Sequence, residues 1–134
     1  MINTYQYTKC THEDILDAVK WARDKLQLHS WLIEVETLDG ADYDNYGHVN
    51  LFNSLEACIF IYPDKCKEDN ANAISVAIHE VVHIALRKYI GPDEEDATLI
   101  FEPLLFELYM KERGRKLPKK REPLKGCKVI RNRR

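Results

Sequence analysis

The chain has 134 residues, 45% of them hydrophobic, which is enough for one core and too little for two comfortable domains. No apolar run approaches the length of a membrane span, and the first residues, Met1 to Tyr7, carry neither a basic flank nor an apolar core of the kind a secretion signal needs. The formal charge of −2 hides an asymmetry: residues 114–134 hold ten basic side chains against Glu122 alone, a net +9, and the remaining residues carry −11. That tail also contains Gly114, Pro118, Pro123 and Gly126 and has no sustained periodicity. It reads as a loosely docked appendage to a domain spanning 1–113, and its charge, from Arg115 to Arg134, makes it a candidate contact for nucleic acid. Cys10, Cys58, Cys66 and Cys127 are scattered without a C-x-x-C pair, the pattern of reduced thiols in a cytoplasmic protein rather than of a disulfide framework.

In chain order, Thr11 followed by Asp14 forms a capping-box pattern, and Ile15, Ala18, Val19, Ala22 and Leu26 recur at helical spacing, so a helix is expected over about 12–28. Trp31 to Leu38 alternates Ile33, Val35 and Thr37 against Leu32, Glu34 and Glu36 and predicts a half-buried strand. Asp39, Asp42 and Asp44 fall in a polar turn that lacks the glycine and terminal glutamate of a calcium loop. His48 to Phe52 and Ala57 to Tyr62 read as two further strands joined by a short spacer, hence an antiparallel hairpin closed by Pro63. Residues 65–72 are polar and read as a turn.

A central helix then covers about 71–89, stopping before Gly91-Pro92. It is apolar nearly all round, from Ile74 through Leu86, so it is expected to be buried. Within it stands His79-Glu80-Val81-Val82-His83. Two histidines four apart lie on one helical face and can reach one metal ion, and Glu80 sits beside that ion as a proton acceptor rather than a ligand. Buried imidazoles need partners, since an unpaired polar group in a core costs about 2–7 kcal/mol, and a metal supplies one. A catalytic zinc ordinarily takes three protein ligands. His12, His29 and His48 lie upstream of the motif, and Tyr89 occupies the position where one zinc-peptidase class places its third histidine.

The acids of the next helix are therefore the candidates. That helix begins with Asp93-Glu94-Glu95-Asp96 after Pro92, continues through Ala97, Phe101, Leu104, Leu105 and Leu108, and contains Pro103, where a kink is expected. Taking its apolar stripe as the buried face puts Glu94 inward, with Glu95 nearer the edge and Glu102 a further candidate.

His79-Glu80-Val81-Val82-His83 followed by Glu94-Glu95-Asp96-Ala97 resembles the small gluzincin-like zinc metallopeptidases of bacteria and phages, over about residues 30–110. The resemblance implies an α+β zincin-like domain: an N-terminal helix, a short, mainly antiparallel three-stranded sheet, the H-E-x-x-H helix and a glutamate helix. It further implies Zn2+ held by His79, His83 and the first acid of an E-x-x-A pattern, here Glu94. Where the family often has an acid that holds a ligand histidine, this chain has Thr98. The implied activity is peptide-bond hydrolysis with Glu80 as general base, on a protein or peptide substrate paired along the strand 57–62. Tyr89, Tyr109 and Arg87 are candidates for stabilising the oxyanion. The competing expectation is a non-catalytic zinc-stabilised interaction module, associated with nucleic acid through the basic tail.

Overall fold

The computed structural model describes residues 4–39, 45–53, 55–87 and 94–121. Their order is α1 (His12–Lys25), β1 (Leu32–Thr37), β2 (Gly47–Asn53), β3 (Glu56–Ile61), α2 (Pro63–Glu68), α3 (Ala73–Leu86) and α4 (Glu94–Glu112), an α+β arrangement of four helices and one three-stranded sheet. No helix among the described residues is long and apolar enough to cross a membrane.

Helix α1 starts at the expected capping box: the Thr11 hydroxyl accepts from the Asp14 amide at 3.1 Å and the Asp14 carboxylate accepts from the Thr11 amide at 2.9 Å. Its buried stripe, Ile15, Ala18, Val19, Trp21 and Ala22, lies against α3 and touches α4. The sheet order is β1-β3-β2, with β3 parallel to β1 and antiparallel to β2. One of its two pairings is thus parallel, so the sheet is mixed rather than mainly antiparallel. The hairpin spacing between β2 and β3 was legible; the insertion of β3 beside β1 depends on tertiary packing that no local pattern carries. β3 is therefore the middle strand, and β2 lies at an edge.

The alternation in β1 holds, with Ile33 and Val35 packed on the core and Leu32, Glu34 and Glu36 exposed. Between β3 and α3, the segment read as a polar turn contains α2, a helix of less than two turns with Pro63 in its first turn and Cys66 buried beneath it. Its own residues supply only that one buried side chain, too little for a helical period to register in the sequence.

Helix α3 is the centre of the molecule. The Asn72 side chain caps it by accepting from the Ser75 amide at 3.0 Å, and Ile74, Val76, Ile78, Val81 and Val82 are buried against the sheet, α1 and α4. Gly47 permits β2 to approach: a Cβ there would lie 2.8 Å from the Phe60 carbonyl oxygen and 3.0 Å from Val76, so any side chain would push the edge strand off α3.

Helix α4 runs unbroken through Pro103. It closes at Gly114, whose positive φ of 65° allows the Arg115 amide to bond back to the Met110 carbonyl at 2.9 Å. The first part of the basic tail then docks on the N-terminal lead. Tyr5 pairs with Lys120 in an antiparallel bridge, the Gln6 amide bonds the Lys119 carbonyl, and the Arg121 amide bonds the Thr4 carbonyl. Two of the tail's cations have structural partners: Arg115 pairs with Asp14 at 2.8 Å and the Arg121 guanidinium donates to the Asp69 carbonyl. Residues 114–121 are thus part of the folded body. The rest of the expected appendage, with Cys127, lies outside the described residues, as do Asp42, Asp44 and Tyr89.

Candidate metal centre

His79 and His83 project from one face of α3, as four-residue spacing requires, with ring centroids 4.7 Å apart and planes crossed at 70°. Their Nε2 atoms are 3.1 Å apart. Glu95, from the first turn of α4, brings its Oε1 to 2.8 Å from Nε2 of His83 and 3.5 Å from Nε2 of His79. The three residues form a cluster that can hold a metal ion. The spacing is informative, because ligand atoms at ~2.0–2.1 Å from a tetrahedral ion lie about 3.3–3.4 Å from one another. The observed separations bracket that value.

The other nitrogen of each imidazole is occupied. Nδ1 of His79 is 2.7 Å from Oε1 of Glu102, and Nδ1 of His83 is 2.7 Å from Oε1 of Glu94. A carboxylate on Nδ1 keeps the proton on that nitrogen and turns the Nε2 lone pair toward a common point. Glu102 is itself fixed: it is 1% exposed, and its Oε2 accepts a hydrogen bond from Ser75, one turn before His79 on α3.

The structure places Glu94, 17% exposed, on Nδ1 of His83, and Glu95, nearer the edge at 47% exposed, where its Oε1 meets both Nε2 atoms. The physical reason is the phase of α4. Its buried residues are Thr98, Glu102, Phe106, Tyr109 and Met110, whereas Phe101, Leu104 and Leu108 are exposed. The most apolar stripe faces outward, which rotates the helix from the orientation expected and carries Glu95 and Glu102, two turns apart, toward α3. Glu102 stands near the histidines as one alternative had it, in an orienting position. Thr98 is buried, and its hydroxyl donates to the Glu94 carbonyl at 2.7 Å, so it leaves the histidines to other side chains.

Glu80 is 4% exposed at the floor of a cleft of about 560 Å³, next to His79 and His83. Burial pushes its carboxyl up to about 7; His79 opposes the shift, while Glu95, Glu102 and Glu94 add to it. For His79 burial acts downward, but the Glu102 hydrogen bond and charge, with Glu80 and Glu95, outweigh it and hold the imidazole above its ordinary value. Four carboxylates around two imidazoles concentrate negative charge that a divalent cation neutralises.

The opposite wall of the cleft is the start of β2, Gly47, His48 and Val49, with Arg87 at the rim. His48, expected only as a strand residue upstream of the motif, has its Nδ1 3.1 Å from the Tyr62 hydroxyl, and its ring stacks on Phe60. Its presence at the cleft was missed because a strand pattern does not say which strand borders the helix. His12 lies 3.2 Å from the Thr37 hydroxyl and His29 is exposed beside Asp24, so neither belongs to the cluster. Tyr109, a candidate for the oxyanion, is buried in the core and its hydroxyl donates to Asp17. Comparison with protein-family models, with curated proteins and with solved structures found no match to this chain.

Proposed function

We propose that the chain is a zinc-dependent metallopeptidase of the gluzincin-like type, with His79, His83 and Glu95 as its zinc ligands and Glu80 as its general base. The observation that carries this reading is the convergence of both Nε2 atoms and a Glu95 oxygen beside a buried, non-ligating carboxyl at the floor of an open cleft. Two histidines and one carboxylate match the donor set of zinc peptidases, in which the fourth position faces solvent. Zinc, when bound, polarises a scissile carbonyl and makes water more acidic.

The chain's own residues do the rest. Glu80 accepts a proton from the water that attacks the carbonyl carbon, and delivers it to the amine nitrogen as the C–N bond breaks. Glu94 and Glu102 hold the imidazoles in the ligating tautomer. The strand bordering the cleft is β2, so the pairing of an extended substrate expected along 57–62 belongs instead to the outer edge of β2, near Gly47 to Val49. Arg87 and His48 are the cationic or polar side chains at the cleft available to an oxyanion.

Glu80→Gln tests the assignment. It should leave one zinc per chain and the melting temperature intact while lowering peptidase turnover of unfolded protein substrates by about 10²–10⁴. Undiminished cleavage in the variant, with contaminating proteases excluded, defeats the mechanism. Absence of stoichiometric zinc in both proteins defeats the metal assignment as well.

A further inference from the structure

Helix α4 has two faces that can pack. One is in the core; the other, Ile100 at 64% exposed, Phe101 at 44%, Leu104 at 59% and Leu108 at 40%, is a contiguous apolar stripe on the surface. Single exposed apolar side chains need no explanation, but four on one helical face do. Their spacing is specific: Ala97, Phe101, Leu104, Leu108 and Lys111 recur at intervals of four, three, four and three, the repeat of a helix that packs lengthwise against another helix.

We infer that this face is a self-association surface on which a second copy of the chain docks its own α4 in antiparallel orientation. The pairing is complementary to itself in size. With the two helices antiparallel, Phe101 of each copy meets Leu104 of the other, and the small Ala97 meets the large Leu108, so knobs face room rather than one another. It is also complementary in charge. The stripe begins at the acidic first turn, Glu94, Glu95 and Asp96, and ends at the exposed Lys111. Antiparallel packing sets Lys111 of each copy beside the acidic turn of the other, with the exposed Asp96 outside the histidine network and within reach. Parallel packing would set Lys111 against Lys111 and acid against acid. A two-fold axis at the middle of α4 makes the contact closed, as a homodimer requires, and places the two metal clusters at opposite ends of the helix pair with both clefts open.

The test is sedimentation of the full-length protein from low micromolar to several hundred micromolar. The weight-average mass should rise from 15.7 kDa toward twice that value. Leu104→Glu, with unchanged circular dichroism, should remain monomeric throughout. Lys111→Glu should weaken the dimer by roughly two- to thirtyfold, the scale of losing two exposed ion pairs, one from each copy, and gaining repulsion in their place. Phe52→Glu, on the exposed face of β2, should change nothing. A wild-type mass fixed at that of the monomer overturns the proposal, as does association that survives Leu104→Glu. Should that variant lose its fold, Lys111→Glu carries the test, and an unchanged or tighter dimer in it overturns the antiparallel arrangement.

Discussion

Helices α3 and α4 pack against each other and supply all three residues of the cluster that can hold a metal ion, yet they relate to their sequences in opposite ways. In α3 almost the whole circumference is apolar and buried, so the few polar residues, Ser75, His79, Glu80 and His83, stand out as chemistry. In α4 the buried face carries Thr98 and Glu102 as well as Phe106 and Tyr109, while the outer face is as apolar as a core stripe. The rule that the apolar stripe of a helix faces inward works when only water competes for the other side. It fails where a site needs carboxylates inside and where a second apolar surface is kept outside.

The first way to break this comparison is to delete side chains from the two helices. Ile78, fully buried in α3, should lose about 2–5 kcal/mol of stability on substitution by alanine. Leu104→Ala on the outer face of α4 should stay within about 0.5 kcal/mol. Both are measured by denaturant unfolding at sub-micromolar protein, where self-association does not contribute. Equal losses would mean that the outer stripe is covered within the monomer, and the inversion of α4 would be void.

A second comparison lies inside the cluster, between the acid that meets the Nε2 atoms and the two that meet Nδ1. On the proposed ligand set, Glu95→Ala should cost the most zinc affinity, measured by competition with a chelator. Glu94→Ala and Glu102→Ala should each cost about 10- to 100-fold, the usual scale for a carboxylate that orients a ligand histidine. A larger loss for Glu94→Ala than for Glu95→Ala would restore Glu94 as the ligand.

These tests fall where the sequence was least legible. The capping box of α1, the alternation in β1 and the whole of the H-E-x-x-H helix follow from local patterns, because period, cap and burial agree there. The parallel pairing of β1 with β3 and the edge position of β2 do not, since strand order is decided by which faces α3 covers. The two turns separating Glu95 from Glu102, with Thr98 between them on the same face, were a readable polar stripe. They were outvoted by Phe101, Leu104 and Leu108. The docking of 114–121 was illegible for another reason: its bridge to the N-terminal lead runs through backbone atoms of Thr4, Gln6, Lys119 and Arg121, which any sequence possesses, and its side-chain contacts, Arg115 with Asp14 and Arg121 with the Asp69 carbonyl, join residues far apart in the chain.

The smallest effect concerns the charged rim where α1 meets the end of α4. Asp17 accepts from the Arg113 guanidinium at 2.8 and 3.1 Å and from the Tyr109 hydroxyl at 2.7 Å. The Arg113 hydrogen bonds first, and that of Tyr109 after them, pull its carboxyl below the ordinary aspartate value against the upward push of burial. A carboxyl whose folded value is depressed stabilises the fold fully above its unfolded value of about 3.9, and that contribution is lost as pH falls through the folded value. Asp17 is 45% exposed, so solvent screening keeps the effect small beside the loss at Ile78. Asp17→Asn should therefore melt a little below wild type at pH ~6, and the gap should narrow as the pH is taken down from about 5. If the gap is constant across that range, the Asp17 carboxylate charge contributes nothing, and α1 and α4 are held at this rim by packing of Trp21 on Tyr109 and by the contacts of Glu112 with Trp21 and Lys25.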